Sequence, residues 1–276
     1  MDLKNKVALV TGSTDGVGRL VARRLAADGA RVFVHGRDKT RGESLVAAIE
    51  AEGGKAEFLA TDFSSLAEVH RLAETVRSRT NRLHLLINNA GVGTNSGGPG
   101  RRTSADGYEL RFAVNYLAGF LLTSLLLPLM KDSAPARIVN VASAGQQAID
   151  FDDVMLERGY SGVRAYCQSK LAQILSTIDL AVRLEGTRVT VNSLHPASYM
   201  NTTMVRDAGV EPWSTVEEGA EAILNLATSP ALEGRSGLYC DGLREARANA
   251  QAYDAAAPQK LRELSLALTG LTQTKI

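Results

Sequence analysis

The chain has 276 residues, 45% of them hydrophobic, and a formal net charge of +1. That is enough apolar material for a full core in one domain, and the near-neutral balance argues against nucleic acid and anionic membrane surfaces as partners. The two cysteines, Cys167 and Cys240, form neither a metal-binding spacing nor a disulfide framework, so we expect no metal and a reducing, cytoplasmic setting.

Residues 1–6 run directly into Val7-Ala8-Leu9-Val10, which reads as a strand buried on both faces and leads us to expect neither a signal peptide nor a membrane anchor. A glycine-rich turn over 11–18 and a helix over 17–27 follow. A second strand covers 31–35, and the alternation continues with strands near 56–60, 83–88, 137–142, 189–194 and 237–240, separated by helices. The longest apolar stretch, 117–130, is interrupted by Thr123, Ser124 and Pro128 and is short for a membrane span, so it reads as a buried helix. Seven apolar strands alternating with helices predict an α/β Rossmann fold, a doubly wound parallel sheet with helices on both faces. We expect a single domain over 1–276, with a core over about 6–240 and a helical extension over about 241–276.

Three segments break the pattern: 93–107, 145–163 and 196–214. Each follows the carboxyl end of a strand, the edge where open α/β sheets bind ligands, and together they predict a lid around one site. Tyr160, Tyr199, Met200, Met204 and Trp213 within or beside these segments are candidate substrate contacts or lid packing; the sequence does not choose. Residues 255–268 have helical spacing and serve either to cover the cleft or to build a homodimer or homotetramer.

The turn Thr11-Gly12-Ser13-Thr14-Asp15-Gly16-Val17-Gly18 lies between the first strand and the first helix. Glycines there let the backbone turn tightly and approach a pyrophosphate, whose charge meets the helix N-terminus. Its spacing is G-x-x-x-G-x-G, which differs from G-x-G-x-x-G. The second strand runs into His35-Gly36-Arg37-Asp38, where Gly36 holds the position usually acidic in NAD-binding sheets. Arg37 after it suits a 2′-phosphate and favours NADP(H) over NAD(H). A register shifted by two residues would instead bring Asp38 to the ribose.

Tyr166 and Lys170 are four residues apart, so on a helix they share one face and point into the same cleft. A permanent positive charge beside the phenol stabilises the phenolate and lowers its pKa from about 10, which equips Tyr166 for proton transfer near neutrality. Ser143 ends the strand upstream of them.

In chain order, Thr11-Gly12 with Gly16 and Gly18, then Asp62, Asn88-Asn89-Ala90-Gly91, Asn115, Ser143 and Tyr166 with Lys170 form an ordered set. From about residue 6 to residue 240 the chain resembles the short-chain dehydrogenase/reductase family. Through residues 35–38, 104–109 and 112–115 it looks most like its retinol-dehydrogenase-like NADPH reductases. The resemblance implies that Tyr166 protonates a carbonyl oxygen during reduction while Ser143 hydrogen-bonds the same oxygen. Lys170 lowers the tyrosine pKa and binds the nicotinamide ribose, and Asn115 holds a water in a proton relay. Gly12, Ser13, Thr14, Gly16, Val17 and Gly18 cradle the pyrophosphate. Asp62 and Phe63 lie near the adenine, and Asn89, Ala90 and Gly91 along the adenosine side. Pro196 and Thr202 belong to the nicotinamide end, with Asn201 and Thr203 as alternatives to Thr202. The family usually has Pro-Gly where this chain has Pro196-Ala197.

The resulting expectation is an NADP(H)-dependent oxidoreductase interconverting a small-molecule ketone or aldehyde and its alcohol. The alternative is a non-catalytic NADP(H)-binding regulator on the same fold. Such a regulator would be expected to lose Tyr166, Lys170 or Ser143, and none is lost.

Overall fold

The computed structural model of the chain describes residues 1–95, 98 and 100–272, and within them the apolar runs become one sheet. Its strands are β1 (Val7–Val10), β2 (Arg31–Gly36), β3 (Lys55–Ala60), β4 (Leu85–Asn88), β5 (Ala136–Val141), β6 (Val189–His195), β7 (Tyr239–Asp241) and β8 (Arg244–Glu245). They stand in the order β3-β2-β1-β4-β5-β6-β7-β8, and every pairing is parallel except β7 with β8. The expected seven strands are thus eight. The extra one is a two-residue antiparallel return after Gly242, too short to leave an apolar signature.

Alternation along each strand explains why the runs are continuously apolar. Ala8 and Val10 of β1 enter one core while Val7 and Leu9 enter the other, and Leu85, Ile87 and Leu86 of β4 divide in the same way. The first face carries α1 (Gly16–Ala27), α2 (Lys39–Ala51) and α7 (Val216–Thr228). The opposite face carries α3 (Leu66–Arg79), α4 (Ala118–Asp132) and α5 (Gly162–Arg183). A buried leucine-sized side chain contributes roughly 2 kcal/mol, so both faces must be covered for the sheet to persist. Side-chain caps set the helix starts: Asp15, Asp38, Ser65, Ser161 and Thr215, the last in a capping box with Glu218.

The apolar stretch before β5 begins with a π-helical turn, Phe112–Leu117, which passes directly into α4 with Pro128 inside it. Phe112–Asp132 is long and apolar enough to cross a membrane by length and composition. Here 72% of its most apolar window is buried within the protein, as befits a core helix.

The carboxy-terminal extension forms α8 (Ala257–Thr269), seated on α5 and the π turn. Ser265 Oγ meets the Tyr116 hydroxyl at 2.7 Å, Tyr108 donates to Leu268 O at 2.9 Å, and Arg262 pairs with Asp179 at 3.5 Å. Residues 273–276 of the extension, and residues 96, 97 and 99 of the first lid segment, lie outside the described residues.

Candidate active site

Strand order reverses between β1 and β4, and the chain leaves their carboxyl ends in opposite directions, opening a crevice there. Gly12 turns with φ +63°, and a Cβ on it would lie 2.7 Å from Ala90 Cα; one on Gly18 would lie 2.4 Å from Asn89 Nδ2. At Gly12 the two segments meet backbone to backbone, and at Gly18 the Asn89 side chain passes where a Cβ would stand, so both positions require glycine. Asn89 Nδ2 donates to Thr11 O at 2.9 Å and Gly12 O at 3.0 Å, while Thr11 Oγ1 accepts from the Asn89 and Ala90 amides. Asn88 ties β4 to its neighbours through Asn140 at 2.8 Å and Thr123 at 3.0 Å.

The side chains of the turn divide sharply. Ser13 is fully buried, its N–H donating to His35 O at 2.8 Å and its hydroxyl to Val10 O at 2.7 Å. Contrary to its listing among phosphate ligands by resemblance, both its donors are committed inward. Val17 packs in the core, so what it offers the crevice is its amide in the first turn of α1, where helix N–H groups lack intrahelical acceptors. Thr14 covers Gly36, whose Cβ would meet Thr14 Cγ2 at 2.5 Å. Phe63 is also buried, its ring tilted against that of His35 with centroids 4.3 Å apart.

At the end of β2, Arg37 is 68% exposed with its guanidinium 3.9 Å from Asp62. Asp38 is occupied in capping α2, accepting from the Arg41 amide at 3.0 Å. Arg41, which the sequence reading missed, adds a second guanidinium here, 3.1 Å from Asp15 and 3.4 Å from Asp38. Its place in the first turn of the next helix, four residues after Arg37, gives no signal in sequence.

Beyond β5, Ser143 is held by its surroundings: its hydroxyl accepts from the Gly145 amide at 3.0 Å, and its carbonyl accepts from the Tyr239 hydroxyl at 3.1 Å. Burial raises the Tyr166 phenol's pKa above its ordinary value, against the opposing effect of the Ser143 side chain beside it. Lys170 Nζ lies 5.7 Å from the Tyr166 ring centroid on the same face of α5. It donates to Val141 O at 2.8 Å and Gln173 Oε1 at 3.0 Å.

The ammonium is not a permanent charge, as the spacing argument assumed. Burial lowers the Lys170 pKa from 10.5 to about 7. Desolvation, invisible in the sequence, outweighs the two neutral acceptors, and in this state the phenol's pKa is raised where a lowered one was expected.

Asn115 sits in the π turn, a helical form that recurs at functional sites. Its Oδ1 accepts from the Val92 amide at 2.7 Å and its Nδ2 donates to Ser169 Oγ at 3.0 Å. The side chain thus braces α5 against the loop after β4. A Cβ on Gly91 would lie 3.3 Å from Asn115 Oδ1 and 3.6 Å from Lys170 Nζ, so this loop links the glycine turn to the lysine.

The segment after β6 approaches the same edge. Thr202 caps the short helix α6 (Thr203–Asp207) and lies over Gly16, whose Cβ would meet Thr202 Cγ2 at 3.2 Å. Thr203 donates to Asp15 at 2.8 Å, and Asn201 accepts from Arg206 at 2.6 Å. Among the described non-glycine residues, positive φ occurs at Asn5, Leu156, Arg188 and Tyr199, so Ala197 needs no left-handed backbone. Tyr199 is exposed and stacks on Trp213 at 5.3 Å. Tyr160 is instead bound into the structure, with Arg111 Nη1 donating to its hydroxyl at 2.5 Å and Glu109 lying 3.3 Å from it. His195, near Lys170, pairs with Ser198 at 2.9 Å.

Two adjacent hydroxyls backed by a buried lysine amine can pass a proton to a bound oxygen, and the glycine cradle beside them fits a dinucleotide. The sequence model of short chain dehydrogenases matches residues 6–212. Human retinol dehydrogenase 12 is 37% identical over 284 residues, covering 98% of this chain and 88% of the relative. An uncharacterized protein from Mycobacterium paratuberculosis superposes with a TM-score of 0.78 at 28% identity over 98% of this chain and 96% of the other. The Pseudomonas aeruginosa RhlG/NADP active-site complex gives 0.71 at 30% identity over 87% and 95%. The chain therefore belongs to the short-chain dehydrogenase family of oxidoreductases, on its retinol-dehydrogenase-like side.

Proposed function

We propose that the protein is an NADP(H)-dependent oxidoreductase that reduces a ketone or aldehyde to an alcohol and runs in reverse as an alcohol dehydrogenase. The observation that carries the reading is the convergence of Ser143, Tyr166 and Lys170 beside the glycine cradle. Arg37 and Arg41 at the end of β2 favour a 2′-phosphate, and the NADP found with the RhlG neighbour agrees with it.

The nicotinamide, when bound, supplies the hydride; the rest falls to residues of this chain. Ser143 and Tyr166 hold the carbonyl oxygen, and the Tyr166 phenol, protonated throughout the neutral range, donates its proton as charge develops there. Lys170, charged below about pH 7, offsets the phenolate that results. Asn115 keeps this helix in register through Ser169. The test is a panel of aldehydes, ketones and alcohols with NADPH and with NADH, following cofactor turnover and identifying the product. Reduction with NADPH preferred supports the reading; no turnover of any member, with NADPH bound, favours the regulator.

A further inference from the structure

Beneath the glycine turn lies a histidine that the chemistry above does not use. His35 is the penultimate residue of β2 and 2% exposed, in a strand otherwise built of Val, Phe and Gly toward its end. Its Nδ1 accepts the backbone N–H of Gly12 at 3.0 Å. Its own backbone continues the tie: His35 N donates to Ser13 Oγ at 3.0 Å, and His35 O accepts from Ser13 N at 2.8 Å. The ring rests on Phe63, centroids 4.3 Å apart. Burial lowers the imidazole pKa to about 3 despite the nearby Asp62 carboxylate, so the ring is neutral under working conditions. Because Nδ1 accepts, the ring proton must sit on Nε2, which is buried without a hydrogen-bond partner.

An aliphatic residue would fill this place at lower cost, since a buried polar atom without a partner is unfavourable. What the imidazole adds is an acceptor for Gly12 at the point where the backbone takes φ +63° and passes within contact of Ala90. An amide left without an acceptor there would let the turn relax away from the geometry a pyrophosphate requires. We propose that His35 is a positioning residue for dinucleotide binding, fixing the Gly12 turn through Nδ1 in the neutral Nε2–H tautomer. The inference rests on the proposed dinucleotide binding but is independent of which carbonyl is reduced and of whether the 2′-phosphate is preferred.

The experiment compares the wild type with His35→Leu and His35→Asn, since the asparagine Oδ1 can stand where Nδ1 stands. Dissociation constants for NADPH and NADH are read from nicotinamide fluorescence, and kcat is measured at saturating cofactor. His35→Leu is expected to bind both cofactors about tenfold more weakly, by the same factor, with kcat at saturation unchanged, and His35→Asn to recover most of the loss. Unchanged affinity in His35→Leu, or an asparagine variant as weak as the leucine one, overturns the proposal. If the wild type binds neither cofactor, it is the dinucleotide reading that fails, and His35 falls with it. Should the leucine variant not fold, two-bond 15N–1H spectra of the wild type still decide: the Nε2–H tautomer supports the proposal and Nδ1–H refutes it.

Discussion

Replacing Lys170 with methionine separates stability from chemistry, because the two draw on the lysine in opposite senses. Lys170 is 5% exposed and its pKa falls from 10.5 to about 7 on burial. Between those values the unfolded chain binds a proton that the folded protein does not, so stability rises with pH across the window and the penalty is complete below about pH 7. Integrated over pH 7 to 9, one such group raises the unfolding free energy by about 2 kcal/mol. Methionine is close in shape and has nothing to titrate. It leaves Val141 O and Gln173 Oε1 without their donor, which costs roughly 1–3 kcal/mol each, but that cost does not vary with pH. Urea unfolding of both proteins at pH 6, 7, 8 and 9 isolates the lysine. Their stability difference should be flat from pH 6 to 7, apart from the onset of titration, and then grow in favour of the wild type by about 2 kcal/mol up to pH 9. A difference independent of pH over that range would refute the claim that Lys170 is desolvated.

The same titration reaches the rate: kcat/KM for carbonyl reduction should fall as pH rises through about 7, and the Lys170→Met variant, slower throughout, should lack that limb. Arg37→Ala should weaken NADPH by roughly 10- to 100-fold and NADH hardly at all, measured as dissociation constants. Glu109 and Arg111 form a buried pair, each side chain 1% exposed, so Glu109→Gln should lower the unfolding free energy by roughly 3–5 kcal/mol in a denaturant titration, with an exposed pair such as Lys39–Glu43 as the insensitive control.

The sheet was legible because its strands are buried on both faces. Val7–Val10 and residues 85–87 have no polar alternation, and continuous apolar runs between helical periods admit few arrangements. Tyr166 and Lys170 were legible from their spacing along one helix, and Ser143 from its place just after a buried strand. What spacing could not convey was environment. Lys170 carries the same letters whether solvated or buried, and only the packing of α5 against β5 removes its water. Ser13, a phosphate contact by resemblance, turns its hydroxyl to Val10 O, and Phe63 packs on His35, neither of which the sequence displays. The Gly12–His35 contact joins residues 23 apart, and the π turn at Phe112–Leu117 follows from tertiary packing, with no local signature.

The account stands most directly on Tyr166 as the proton donor. Steady-state reduction of an accepted carbonyl with NADPH should be compared for the wild type and Tyr166→Phe, alongside melting temperature and NADPH affinity for both. The phenylalanine variant should fold and bind NADPH like the wild type while kcat falls by roughly 10²- to 10⁴-fold. A variant that binds NADPH and reduces the carbonyl at the wild-type rate would contradict the mechanism.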